Sequence, residues 1–351
     1  MKQYEPIGKY IHLADARNSD LSVTNLVGLT IEKRYIPSVA NVIGTDLSKY
    51  KVIKQGQFAC SLMQVSRDGK MPVAMYKGEP AIMSPAYPIF EVNDVNELMP
   101  EYLHMYLSRP EFDREAVFHA VGGVRGSLDW EDFISLKMPV PHIDEQRKIV
   151  REYQTVEQRI KNNNRLIEAL EDTAQAIYQH TFVENIDPKN LPEGWRNYTV
   201  SEFFPVITGK KDANIATDDG KYLFFTCSQE PSKTDVYSFD GDAILLAGNG
   251  DFNVKYYKGK FEAYQRTYVL IPQEKCMLGL LYNVIRYEIS KIAKEAKGSV
   301  IQFLTKGMVE NIKFLAPIEL SKTKSISQFN CICDTITALL NENKLLDNIN
   351  K

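Results

Sequence analysis

The chain repeats itself, and that repeat constrains its architecture more tightly than any single motif does. Leu128–Pro141 (LDWEDFISLKMPVP) lines up with Leu304–Pro317 (LTKGMVENIKFLAP) 176 residues later, and Leu128/Leu304, Lys137/Lys313 and Pro141/Pro317 are identical. Asn162–Leu170 (NNNRLIEAL) matches Asn341–Ile349 (NENKLLDNI) at an offset of 179, three residues more. Tyr76-Lys77-Gly78 followed by Tyr87 recurs as Tyr257-Lys258-Gly259 followed by Tyr268, with the same gap of 11. Three matches in one order imply an internal duplication. A length of 351 residues fits two domains with connecting elements.

The same segments mark the boundaries. Pro139, Pro141 and His142 end a first globular half at residues 1–141, and a helical stretch without Pro or Gly fills most of 142–187. Asp187-Pro188 and Leu191-Pro192-Glu193-Gly194-Trp195 break that helix, because Pro and Gly set turns. A second globular half follows at 188–317 and a shorter helical tail at 318–351. Each half has the composition of a mixed α/β domain. Strand-like runs occur at Tyr50–Ile53, Val73–Tyr76, Tyr87–Val92, Tyr222–Thr226, Ala243–Leu246 and Arg266–Ile271. Turn pairs are expected at Asp68-Gly69, Lys77-Gly78, Asp240-Gly241 and Lys258-Gly259, and helices at Glu101–His119 and Leu278–Lys297.

The long helices carry narrow apolar seams. In the first, Ile149, Tyr153, Val156, Ile160, Asn163, Ile167, Leu170, Ala174 and Ile177 are spaced 4-3-4-3 throughout. The tail offers Phe329, Ile332, Ile336, Leu339, Asn343 and Leu346 at the same period. A 3.5-residue period favours left-handed coiled-coil packing, so the two helices are expected to pair. Ile149, Val156, Ile160, Ile167 and Leu170 would face Ile332, Ile336, Leu339 and Leu346. Asparagine interrupts both seams, at Asn162–Asn164 and Asn343, and a polar seam residue fixes register at a cost in stability. Thirty-five to forty residues at about 1.5 Å each would make a rod of roughly 55 Å.

Composition excludes several classes. Hydrophobic residues at 44% and charged residues at 25% describe an ordinary globular chain rather than a disordered one. No apolar run approaches the roughly 18 residues of a membrane span, and the charged N-terminal residues leave no signal-peptide core. Five sparse cysteines give no disulfide framework, so a cytoplasmic protein with reduced thiols is expected. The net charge is −3, and each of the four segments lies within three charges of neutral, so any DNA-binding surface must be local.

Motifs that carry catalysis are not found. The chain has no phosphate loop, no dinucleotide fingerprint, no HExxH, no GxSxG and no Asn-Pro-Pro-aromatic methyltransferase motif. His12, His104, His119, His142 and His180 are too dispersed to suggest a metal cluster. Asp68-Gly69-Lys70 and Asp219-Gly220-Lys221 have the composition of a nuclease limb, but Asp-Gly is first of all a turn signal. No cofactor and no metal are expected.

Leu136-Lys137-Met138-Pro139-Val140-Pro141-His142-Ile143-Asp144-Glu145-Gln146-Arg147-Lys148-Ile149 resembles the junction at which DNA-specificity subunits of Type I restriction-modification systems pass from a target-recognition domain into a conserved helix. Leu191–Trp195 resembles the start of such a domain, and Gly28–Ser38 (GLTIEKRYIPS) a stretch near its beginning. The first half lacks the Leu-Pro-x-Gly-Trp start, and the second junction, Pro317-Ile318-Glu319-Leu320-Ser321, has lost the Glu-Gln pair. The resemblance implies an α/β fold class: two similar target-recognition domains separated by two long helices in an antiparallel coiled coil, with pseudo-two-fold symmetry.

Further implications concern function. The chain would be a non-catalytic subunit whose two domains each read half of a bipartite asymmetric site on double-stranded DNA. Its helices would set the spacer and dock two methyltransferase subunits, and a motor-nuclease subunit would join for cleavage. Loop residues with the right chemistry for DNA are Arg17, Lys33, Arg34, Arg67, Lys70 and Arg125 in the first half. In the second they are Lys210, Lys211, Lys233, Asn249, Asn253, Lys255, Arg266 and Lys297. Arg suits guanine edges, Asn adenine edges and Lys phosphates. Two basic glycine loops, Gly122–Ser127 and Lys297-Gly298-Ser299, recur at equivalent places. Two other readings stay open: a coiled-coil adaptor that binds no DNA, and a metal-dependent nuclease using the two Asp-Gly-Lys segments.

Overall fold

The structure is a computed structural model describing residues 4–38, 44–63, 65–121, 126–184, 186–295, 303–320 and 323–349. It divides into two compact units, Met1–Arg159 with Asp347–Lys351, and Ile160–Leu346.

In the first unit the elements run β1 (Tyr4–Pro6), β2 (Ile11–Leu13), β3 (Val27–Leu29), β4 (Tyr35–Pro37), β5 (Lys51–Ile53) and β6 (Phe58–Cys60). A one-turn helix α1 (Val65–Asp68) leads to β7 (Val73–Met75), β8 (Ala81–Met83) and β9 (Ile89–Val92). Then come α2 (Pro100–Ser108), α3 (Pro110–Ala120), α4 (Trp130–Ser135), β10 (Lys137–Pro139) and the long α5 (Ile143–Phe182). The second unit continues with β11 (Trp195–Thr199), β12 (Ile207–Thr208), β13 (Tyr222–Phe225), β14 (Ser232–Thr234), β15 (Phe239–Ala247), β16 (Val254–Ala263) and β17 (Thr267–Leu270). It closes with α6 (Leu278–Glu295), α7 (Lys306–Glu310), β18 (Lys313–Pro317) and α8 (Lys324–Ile349).

The duplication read from three short segments extends to the topology. The first unit has an antiparallel sheet in the order β2-β9-β6-β7, and the second contains β12-β17-β15-β16 with the same pairings. In both, the first strand pairs with the last: Tyr4 opposite Pro139 and Trp195 opposite Pro317. The repeated L…K…P segment is therefore the α4–β10 closure in one unit and the α7–β18 closure in the other. A hairpin accompanies each domain, joined to the main sheet in the second unit and to the separate β5–β8 ladder in the first. β13–β14 joins β16 in parallel, and β3–β4 reaches β8 through the parallel bridge Leu26–Ile82.

Both sheets are buried on two faces, which explains why their strands read as apolar runs. Phe58, Cys60 and Phe90 enter the core shared with α2–α4, while the alternate residues Ala59 and Ile89 enter a smaller cluster with Val27, Ile53 and Tyr76. Phe58 and Phe90 stack with ring centroids 5.1 Å apart. In the second unit Ile244, Leu246, Tyr268 and Leu270 face the helices, and Ala243, Leu245 and Val269 face Phe225 and Phe261.

Two local expectations are corrected. The helix expected over Glu101–His119 is two helices, α2 and α3, because Pro110 forces Arg109 into an extended conformation (φ −73°, ψ 145°). The Asp240-Gly241 and Lys258-Gly259 pairs are not turns. Gly241 and Gly259 lie opposite each other inside the β15–β16 hairpin, with φ of +150° and +125°, so both breakers fall on one rung of a continuous ladder.

The expected seams are visible as burial. Along α5, Ile160, Asn163, Ile167, Leu170, Ala174 and Ile177 are buried or half-buried among exposed neighbours, and on α8 so are Phe329, Ile332, Ile336, Leu339, Asn343 and Leu346. Within the second unit, Asn163 on α5 bonds Asn343 on α8, while the ring of Phe182 approaches Phe329. Late residues of α5 thus meet early residues of α8, and the pair is antiparallel. Asn163 Nδ2 donates to Asn343 Oδ1 at 2.9 Å and to Glu342 Oε2 at 3.0 Å, and Asn343 Nδ2 donates to Asn164 Oδ1 at 2.8 Å. Ile149, assigned by spacing to the same seam, packs against the first unit's core beside Val150, because the first turns of α5 lie on the domain they follow. Val156 is half-buried in that unit.

Candidate nucleic-acid interface

Sequence reasoning singled out loop residues by chemistry alone; the fold sorts them by what they touch. Lys33 sits in the β3–β4 turn with a left-handed backbone (φ +60°), and its side chain points inward. Its Nζ lies 2.8 Å from Asp113 Oδ1, donates to the Leu107 carbonyl at 2.6 Å and covers the Phe112 ring. Burial lowers its pKa, with Asp113 opposing the shift. A cation held in this way ties the hairpin to α2 and α3 while lying on the wall of the two clefts beside it. Its neighbour Arg34 is exposed, with no ion pair among the described residues.

Arg34 belongs to a cleft of about 500 Å³ with Asn25, Tyr35, Tyr76, Lys77 and His104. Tyr35 and Tyr76 meet edge to face at 4.9 Å, and the Tyr35 hydroxyl is fixed by donating to Ala74 O and accepting from Ala59 N. Two basic groups above a rigid, inward-packed aromatic pair suit contacts to phosphate. Lys77 was not among the expected residues, although the recurring Tyr-Lys-Gly carried the signal. His104 lies beneath, and its Nδ1 has no hydrogen-bond partner. Burial, then the charges of Lys77 and Lys33, push its pKa down to about 4, so it is neutral at pH 7. Lys70 lines an adjoining cleft of about 340 Å³ with Glu32, Asp113 and Arg114.

The remaining candidates of the first unit are differently placed. Arg17 is held by Asp15 (2.8 Å) and the Lys49 carbonyl (2.8 Å), and it in turn lowers the pKa of Asp15. Arg67 is exposed and pairs with Asp68 at 2.7 Å. Arg125, with Gly122–Val124 of its loop, lies outside the described residues.

In the second unit the fold brings Asn249 and Arg266 together. They follow and precede the paired ends of β15 and β17, where Ala247 lies opposite Thr267. Gly248 N donates to Arg266 O at 2.8 Å, and Leu304 N to Gly248 O at 2.7 Å. Around this knot Thr208, Gln265, Tyr268 and the exposed Phe303 complete a cleft of about 440 Å³. Gln265 and Phe303 escaped sequence reasoning, since a lone glutamine or phenylalanine in a loop has no signature.

Asn253 and Lys255 are occupied elsewhere. Asn253 Nδ2 donates to Cys227 O (2.9 Å) and Asp251 Oδ1 (2.7 Å), and Lys255 Nζ donates to Ser228 O (2.8 Å) and to Asn253 Oδ1. Burial lowers the Lys255 pKa. These two residues shape the loop after β13 from within. Lys210, Lys211 and Lys233 are exposed, while Lys297 lies outside the described residues together with Gly298 and Ser299.

Among the described residues, no group of three or more His, Cys, Asp or Glu side chains is placed to hold a metal, and no helix is long and apolar enough to cross a membrane. Asp68 and Asp219, the carboxylates of the two Asp-Gly-Lys segments, fall in different units.

Residues 47–172 and 192–351 match the Type I restriction modification DNA specificity domain, which thus occurs twice. A curated relative, the type I restriction enzyme EcoDI specificity subunit of Escherichia coli, is 43% identical over 127 residues; the match covers 36% of this chain and 28% of that protein. The fold is similar to the crystal structure of a Type-I restriction-modification S subunit from M. genitalium, at a TM-score of 0.55 and 17% identity, over 99% of this chain and 93% of that one. With the family domain matched twice and over most of its length, this chain belongs to the Type I restriction-modification DNA specificity family.

Proposed function

We propose that this chain is the DNA-reading, non-catalytic subunit of a Type I restriction-modification complex, in which each globular half reads one part of a split, asymmetric site on double-stranded DNA. The observation that carries this reading is the duplicated topology with diverged clefts. Arg34 and Lys77 beside two tyrosines mark one half, and Asn249, Gln265 and Arg266 beside Phe303 mark the other. Equal folds with unequal side chains read unequal half-sites. Arg and Asn are the side chains that pair in bidentate fashion with guanine and adenine edges.

In this reading α5 and α8 set the spacing between half-sites and offer their outer faces to two methyltransferase subunits, and a motor-nuclease subunit completes the cleaving complex in the cytoplasm. The antiparallel asparagine-locked seam supports a fixed spacing, since half-sites must be met in helical phase. A near-neutral chain is compatible with DNA binding when partners supply part of the phosphate contact.

The test is methylome sequencing of the source cells with and without the gene. Loss of modification at one bipartite asymmetric motif is the expected result. An unchanged methylome, together with a pull-down that lacks any methyltransferase, would overturn the proposal in favour of a protein adaptor.

A further inference from the structure

Where the first junction carries Glu145-Gln146, the second has no counterpart in sequence, and the structure shows what the glutamine does. Gln146, on the first turn of α5, is fully buried. Its Oε1 accepts from Met99 N at 2.9 Å, and its Nε2 donates to Glu97 O at 2.8 Å and Pro141 O at 2.9 Å. Met99 is the residue that opens α2, and its own side chain caps nothing. The first N–H groups of a helix lack partners within it, so a carboxamide from a neighbouring helix can fill that need.

The second unit contains the same device built from a different residue. Asn330 of α8 accepts from Gly279 N at 3.1 Å through Oδ1 and donates to Cys276 O at 2.7 Å through Nδ2. Gly279 is in the first turn of α6, the helix that corresponds to α2–α3 in the repeat. Glycine is required there, because a Cβ would stand 2.7 Å from the backbone carbon of Phe329 and 2.8 Å from Asn330 N. In each unit one carboxamide on the long helix joins a helix-opening N–H to a carbonyl just upstream. Gln146 lies five residues after Pro141 and Asn330 thirteen after Pro317, so alignment of the junctions conceals the equivalence.

We infer that Gln146 and Asn330 are equivalent positioning residues, each fixing the pose of its recognition domain on its own long helix and so the spacer length the protein accepts. A donor and an acceptor on one rigid amide define rotation as well as distance, which a single hydrogen bond cannot do. The inference rests on the DNA-reading function proposed above.

The experiment replaces Gln146→Leu and Asn330→Leu, singly and together, in the full chain with its partner subunits, and reads two quantities. Hydrogen exchange at Met99 N–H should accelerate at least tenfold in Gln146→Leu with Gly279 N–H unchanged, and the converse should hold in Asn330→Leu. In the methylome, both half-sites should keep their sequences while modification spreads to spacers one base pair shorter or longer. Unaltered exchange, or faster exchange with the wild-type spacer alone still modified, would overturn the inference. If a leucine variant does not fold, Gln146→Glu and Asn330→Asp keep the acceptor and lose the donor, so Met99 and Gly279 N–H should stay slow to exchange while the spacer still relaxes, and an unrelaxed spacer would overturn the inference. Failure of the functional proposal itself is distinguishable, because the wild-type gene would then direct no methylation.

Discussion

Breaking the asparagine seam from one side should cost more than replacing both partners. Asn163 and Asn343 are buried, at 3% and 8% exposure, and are linked directly and through Asn164 and Glu342. Asn343→Ala removes the acceptor for Asn163 Nδ2 and the donor to Asn164 Oδ1. Asn163 Nδ2 keeps Glu342 Oε2 and loses one of its two bonds, and since a lost intramolecular bond costs about 1 kcal/mol and an unmet buried donor up to about 3, a local loss of about 1–2 kcal/mol is expected. In Asn163→Leu/Asn343→Leu both amides leave together and apolar surface is gained, so stability should return to within about 1 kcal/mol of the parent chain. The coupling energy from the full cycle should lie between roughly 1 and 3 kcal/mol. Hydrogen exchange of amides in 160–167 and 339–346 is the suitable assay, because it reports local opening and needs no two-state unfolding of a two-unit chain. The double-leucine chain should also lose the unique register that the asparagines impose, which NMR of the seam residues would reveal as more than one set of resonances. A double variant as unstable as the single one, or a single variant within about 0.5 kcal/mol of the parent, would refute the reasoning.

Three further outcomes are expected. Lys33→Met leaves Asp113 charged and enclosed, and should destabilise the first unit by about 3–5 kcal/mol in urea titrations. In folded complexes it should change DNA affinity by less than about threefold, because the ammonium is already engaged by Asp113 and the Leu107 carbonyl. His104 is neutral in the folded chain at pH 7, with a pKa near 4 against an ordinary value of 6.5. The unfolded chain binds the proton first as pH falls, so stability should decline between pH 6.5 and 4 by on the order of 3 kcal/mol, and His104→Asn should remove that component of the slope. Arg266→Ala should weaken binding of the cognate site by about 10- to 100-fold in gel-shift titrations and relax one base of one half-site, whereas Lys210→Ala should weaken all sequences alike.

Much of the architecture was legible because it rests on period and order. Helix geometry alone decides which residues share a stripe spaced 4-3, although what the stripe packs on changes along α5, since Ile149 lies on the first unit's core. The turn pairs failed for the opposite reason. Asp240-Gly241 and Lys258-Gly259 have turn chemistry, yet their pairing across β15–β16 depends on residues that sequence order does not align. The clefts were legible only in part. Arg34, Asn249 and Arg266, expected from chemistry, line clefts with no ion pair among the described residues, whereas Lys33, Asn253 and Lys255 have the same chemistry but are engaged by neighbouring groups. Lys77, Gln265 and Phe303 join them only because strands bring distant loops together.

By itself the sequence determined the duplication, the alternation of globular halves with long helices, and the polar break in the helical seam. Those features follow from local periodicity and from repeated spacing, which the chain carries in one dimension. Only the tertiary structure decided which cations face solvent and which carboxamide meets the opening N–H groups of α2 and α6. A side chain's role depends on the partner within about 3 Å, and that partner is set by packing across 27 residues for Lys255 and Ser228 and 180 for Asn163 and Asn343.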